Sequence, residues 1–329
     1  MPKAWSCENG EMHAVLRAHG RAGFRLAGRI GFRIAGTFVI LALAPGGLPA
    51  SEPSGPELIR QGKFEEALAV YRADIEASPK SVAANNGAGV ALDLLGRFTE
   101  AQQYFTQAIK ATRTPLERAV AQRAMAIAHG FAGDCKGAEK FESDAFDFYL
   151  GTSDFFNAGE VADELGRLCL DAGDLNRASE WYRKGHDTGL DQPDMAPARK
   201  DLWSFRLAHA RARIAARRGK PEEALKYVRE ARTILDRSRN PDQEQYFPYL
   251  TGYVAFYAGD YPAALSALRG TSPADTFIQC LMAQTYEALG NREKALEYYR
   301  QAANSSAHSV PAAYARPFSR RKLEGFVSK

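Results

Sequence analysis

Leu94-Leu95-Gly96-Arg97-Phe98-Thr99-Glu100-Ala101-Gln102-Gln103-Tyr104-Phe105 decides the fold. It reads as the end of one helix, a tight turn at Gly96, and the start of a second helix lying back on the first. Large apolar residues recur three or four apart at Leu92, Leu95, Phe98 and Phe105, so each helix carries one apolar stripe. Small residues, Gly89, Gly96, Ala101 and Ala108, stand where two backbones must approach. A helix pair of this size cannot bury its stripe alone, so the pattern predicts further copies.

The copies are present. The turn glycine recurs at Gly62, Gly96, Gly133, Gly173, Gly219, Gly259 and Gly290, at spacings of 34, 37, 40, 46, 40 and 31 residues. Five residues after each comes Ala67, Ala101, Ala138, Ala178, Ala224, Ala264 or Ala295. Four residues further on stand Tyr71, Phe105, Glu142, Tyr182, Val228, Leu268 and Tyr299. Only Glu142 breaks the apolar rule, and the reading there is that the aromatic has moved to Phe141. From Pro56 to about Ala303 the chain resembles the tetratricopeptide-repeat family, whose unit is a helix–turn–helix of about 34 residues with an Ala-x3-Phe element. The match is closest over Val82–Arg113 and weakest over Phe205–Arg232, where Arg211-Ala212 replaces Leu-Gly. The resemblance implies an all-α fold, a right-handed α-solenoid of helix hairpins that binds proteins or peptides.

Four segments follow: a leader at 1–50, a linker at 51–56, the solenoid at 57–304, and a terminal capping helix and tail at 305–329. Pro311 and Pro317 predict one or two short helices in the last of these. Arg316, Arg320, Arg321 and Lys322 predict a wet outer face, as the end of a repeat array needs.

The net charge of +4 resides in the leader, where six basic residues face two acids; positions 51–329 hold 37 of each sign. Nucleic-acid binding, which rests on neutralising phosphates, has no support in that balance. Arg17, Arg21, Arg25, Arg29 and Arg33 precede an apolar run from Ile34 to Ala44, then Pro45-Gly46-Gly47 and Leu48-Pro49-Ala50. Those are the parts of a secretory signal peptide, and they predict export to the periplasm or beyond with cleavage after Ala50. The run is shorter than the roughly 20 residues a membrane span needs, so no stable span remains once the leader is removed. An uncleaved membrane anchor and an organelle transit peptide are the alternatives. Cys135, Cys169 and Cys280 are distant and odd in number, and read as buried small hydrophobes rather than a disulfide or reactive thiol.

In the family the first helix of each pair lines the concave face. Counting back from the turn glycines then gives an acidic fourth repeat (Glu160, Asp163 and Asp171, with Arg167), a basic fifth (Arg206, His209, Arg213, Arg217) and an aromatic sixth (Tyr246, Tyr249, Tyr253, Phe256, Tyr257). Arg206, His209, Arg213, Arg217, Tyr249, Tyr253 and Tyr257 are thus the candidate partner-binding set. Paired charges and stacked rings would hold an extended peptide there. Two structural uses compete for the same residues: the arginines are spaced to pair with repeat-four acids, and the rings to pack between repeats. The family's clamp for a peptide carboxy-terminus is not carried over, because Asn85 and Asn86 lie near its positions but Arg123 stands without the rest.

Catalysis has little support. There is no glycine-rich phosphate loop, no His-Glu-x-x-His and no nucleophile elbow. His129, His186, His209 and His308 fall in separate repeats. No metal and no cofactor are predicted, and the chain reads as a binding scaffold rather than an enzyme. The rival readings are a ligand-responsive regulator and a non-catalytic subunit of an enzyme complex.

Overall fold

The computed structural model describes residues 53–238 and 241–327. The leader at 1–50 lies outside these residues. Helices α1 (Gly55–Arg60) and α2 (Phe64–Ala77) form an abbreviated first pair. They are followed by α3 (Val82–Leu95) with α4 (Phe98–Ala111), α5 (Pro115–Phe131) with α6 (Cys135–Gly151), and α7 (Phe155–Ala172) with α8 (Leu175–Leu190). The second half holds α9 (Pro197–Arg217) with α10 (Pro221–Ser238), a short α11 (Pro241–Glu244), α12 (Phe247–Tyr257) with α13 (Tyr261–Leu268), and α14 (Thr276–Ala288) with α15 (Arg292–Ala303). A last helix, α16, spans Val310–Val327. No strand occurs among the described residues, and the fold is an all-α repeat array.

Each turn is built the same way. The seven glycines that recur in the sequence are the seven described glycines with positive φ, from 68° at Gly219 to 94° at Gly173. At Gly96 the left-handed residue ends α3, and its N–H closes on the Asp93 carbonyl. A side chain there would add a steric cost of about 1–2 kcal/mol. The alanine five residues later has no exposed surface in any of the seven pairs. The large residue after it lies over a small residue of the first helix: the Phe105 ring covers Gly89, Tyr182 covers Gly166 and Leu268 covers Gly252. Aspartates or asparagine then cap many of the helices, Asp134, Asp154, Asp174, Asp260, Asp275 and Asn291 each accepting from a first-turn N–H.

At Glu142 the aromatic does not move over to fill the gap. Phe141 is half-buried and stacks on His129, and the carboxyl of Glu142 is itself fully buried. Pro248 sits in the first turn of α12, so that helix starts late and is not kinked.

The cysteines also differ from expectation. The solenoid lays the start of α6 beside the end of α7, and Cys135 and Cys169 are joined in a disulfide; Cys280 is free and buried. The bond ties the third helix pair to the fourth across 34 residues.

The terminal segment departs furthest. It is one helix that runs through Pro317, and it does not sit outside the array as a wet cap. It packs against α5, α7, α14 and α15. Pro317 and Arg316 are buried, as are Ala312, Ala313, Ala315 and Ser319. Proline removes one helical hydrogen bond; neighbours on both sides hold the helix in shape despite that loss.

Closing a loop of 34 residues is worth about 3–4 kcal/mol by chain entropy. Cys135→Ser with Cys169→Ser is therefore expected to lower the urea-unfolding free energy by that order. Equal stability of the oxidised and double-serine chains would contradict the pairing.

Candidate functional site

The first helices of successive pairs pack on one another, α3 on α5, α5 on α7, α9 on α12 and α12 on α14. They form the inner face, and α16 lies along it. Three of the candidate helices, α7, α9 and α12, bring their charged and aromatic residues together there.

On α7 and α9 the charges pair. The Arg206 guanidinium bonds Glu160 and lies 4.0 Å from Asp163. Arg167 donates to Asp171 at 2.7 Å, one turn away on its own helix. Arg123 on α5 makes a two-pronged bond to Glu164, at 2.6 and 3.0 Å. The arginines also lie against rings: Arg167 is 4.2 Å from the Phe277 ring centre, Arg206 5.0 Å from Trp203, Arg217 5.3 Å from Tyr257 and Arg213 5.5 Å from Tyr182.

The seven candidates are thus gathered, but not as an open surface. Arg213, His209, Tyr249 and Tyr253 are buried, with Tyr253 wholly covered. Arg206, Arg217 and Tyr257 are half-buried at the margin. The structural uses of these residues are therefore prominent: Arg206 pairs with a repeat-four acid, and Tyr249 packs against Tyr253 and Phe277. Helix α16 approaches this set through Tyr314, which lies 5.8 Å from the Phe277 ring.

Several polar atoms in this buried set have no partner. They are Nε and Nη1 of Arg213, the hydroxyl of Tyr249, Nε2 of His209 and Oδ1 of Asp171. Arg213 keeps one bond, from Nη2 to the Tyr182 hydroxyl at 3.0 Å. Burial, with the charges of Arg213 and Arg167, holds His209 well below the usual imidazole range and therefore neutral at pH 7. Burial pushes the Tyr249 hydroxyl up to about 12.

Sequence reasoning misses the acids behind this set. Burial, followed by the neighbouring Glu164, raises Glu142 well above the carboxylate range. Asn85 is spent on structure, donating to the carbonyls of Pro79 and Ser81 at 3.3 and 2.8 Å. Among the described residues no group of three or more His, Cys, Asp and Glu side chains is arranged to hold a metal ion. Among them, too, no helix is long and apolar enough to cross a membrane.

Asp163 supplies a pH test. Burial raises it to about 7; Glu160 and Glu164 add to the rise, while Arg206 and Arg213 oppose it. The folded chain keeps a proton that the unfolded chain loses near pH 3.9. The stabilisation is therefore full below that pH and disappears as pH rises through about 7. The thermal midpoint of the wild type should fall between pH 5 and 8, and Asp163→Asn should make that fall shallower. The same slope in both chains would contradict the assignment.

The tetratricopeptide-repeat sequence pattern matches residues 54–115 and again residues 278–308. The crystal structure of the apo form of RapI superposes with a TM-score of 0.50 at 14% identity, covering 82% of this chain and 96% of its own. A tetratricopeptide repeat protein from Parabacteroides merdae gives a TM-score of 0.46 at 13% identity, with 80% and 96% covered. No curated protein matches this sequence. With its seven glycine turns, its seven buried alanines and repeat matches near both ends of the array, the chain carries tetratricopeptide repeats over residues 54–115 and 278–308 within one all-α repeat fold.

Proposed function

We propose that this chain is a non-catalytic scaffold that captures a partner protein or peptide along its inner face. The observation that carries the reading is the pair of buried side chains with unpartnered donors, Arg213 and Tyr249. Each costs about 1–3 kcal/mol when left unsatisfied in the interior, so groups of this kind serve something besides the fold. Arg206, Arg217 and Tyr257 stand half-buried at the edge of the same cluster, where an arriving segment meets them first. Charge pairing and ring contact are the chemistry on offer, and neither calls for a cofactor. The histidines support no catalytic constellation: His209 is bedded among rings of Phe205 and Tyr249, His308 bonds Asp93, and His129 bonds Asp134.

The same proposal puts the chain outside the reducing cytosol. The arginine-rich leader with its short apolar run supports export, and the Cys135–Cys169 bond suits an oxidising compartment. Sequencing the amino-terminus of the protein from its own cells should give a chain beginning near Ser51. A chain retaining Arg17 to Arg33 would overturn export with cleavage.

Partner capture is tested at the margin, where the side chains are only half-buried. Affinity capture with the processed protein should recover partners that are lost with Arg217→Glu plus Tyr257→Ala, in a variant that keeps its helical signal and a cooperative thermal transition. Equal recovery by both chains would contradict binding along this face.

A further inference from the structure

The inner face is not empty in this structure. It is filled by α16, which comes from the far end of the chain and reaches helices more than 200 residues earlier in sequence. His308, just before α16, bonds Asp93 at 2.8 Å and stacks between Phe105 and Phe131, with ring centres 5.7 and 5.0 Å away. Arg320 donates to the Leu94 carbonyl at the end of α3 at 3.3 Å. The small residues Ala312 and Ala313 join the core of the amino-terminal half, while Ala315 joins that of the carboxy-terminal half.

The two sides of α16 are held differently. Toward α14 and α15 the contact is aromatic and close in sequence: Tyr314 meets Phe277, Phe318 and Phe326 meet Tyr299, and Lys322 bonds Glu287 at 2.9 Å. Toward α3, α5 and α7 it consists of small side chains and a few polar bonds. A cleft of about 200 Å³ remains between α16 and α5 and α7, bordered by Gly130, Leu168, Asp171, Ala313 and Tyr314. Asp171 keeps an unpartnered carboxylate oxygen at this border, and Asp93 keeps one beneath His308. The wall is shaped for a helix, and the helix in place does not satisfy it fully.

We infer that the inner face is a receptor for a single α-helix, that α16 occupies it in cis, and that the partner is a helix of the same chemistry. Such a helix carries a ridge of alanine or serine on one edge, aromatic residues on the other, and basic residues toward its end. Release of α16 also frees the Phe277 ring, which meets Arg167, Tyr249 and Tyr253, so the covering helix bears on that set through one ring. The inference rests on the scaffold reading, yet the two fail separately. A permanently seated α16 refutes only this inference, whereas equal capture by the Arg217 and Tyr257 variant refutes the scaffold reading whatever α16 does.

Hydrogen exchange on the unmodified full chain tests the release. Amides of α16 should exchange at least about tenfold faster than those in the middle of α5 and α7, through a local opening. Exchange of α16 only at the rate of the wall helices would overturn the inference. The occupant is tested with a labelled peptide of residues 305–329 and the full chain carrying Ala313→Trp, a change in α16 that leaves the walls unaltered. The variant should keep its helical signal and bind the peptide at least about tenfold more tightly than the wild type does. No binding to a folded variant, or loss of the wall helices on making it, would overturn the inference too, since a removable occupant cannot be required by its receptor.

Discussion

A helix pair with one apolar stripe needs a neighbour to cover it, and an array of such pairs always ends with a stripe and an inner face uncovered. That shortage of cover governs this molecule. Each turn glycine lets the second helix fold back tightly, and each fully buried alanine lets the two backbones approach. Burial of one pair then depends on the next. At the end of the array the chain supplies the missing cover itself. Helix α16 lies over α14 and α15, and the same helix continues onto α5 and α7. Its alanines contribute to both cores, so the third and fourth helix pairs are linked to the last through a segment that belongs to none of them.

The interior is more polar than packing requires. Glu142 takes a position where the repeat uses an apolar residue, and it lies against Glu164 and Arg123 with no room for water-like exposure. Asp93 and Asp163 are likewise held toward their neutral forms by burial. Replacing such groups by apolar ones is often neutral or stabilising, which sets their presence apart from the needs of the fold. The excess of donors around Arg213 has the same character.

Much of this was legible in the residues. Glycine and alanine at fixed offsets marked the turns, because a left-handed backbone and a close helix contact each admit so few side chains. Helix ends such as Phe64–Ala77 and Phe155–Ala172 follow from proline, glycine and capping aspartate nearby in sequence. What escaped was non-local. Nothing in the spacing of Cys135 and Cys169 says that two helices from different pairs will set them side by side. The arginines of the terminal segment looked like a solvated face, although Arg316 is buried, bonding the Ser305 carbonyl and lying over the Phe64 ring. Counting along α9 and α12 found the residues that meet on the inner face, but could not tell that another helix would pack on α5, α7 and α14 beside them.

The seating of α16 against the amino-terminal half is the point on which the account turns. The most direct measurement is a nuclear Overhauser spectrum of the methyl-labelled, unmodified chain. The methyls of Ala313 and Leu168, which border one cleft and flank Gly130, should give a direct cross-peak. Its absence, with the Ala313 methyl resonating as it does in an isolated peptide, would contradict the account.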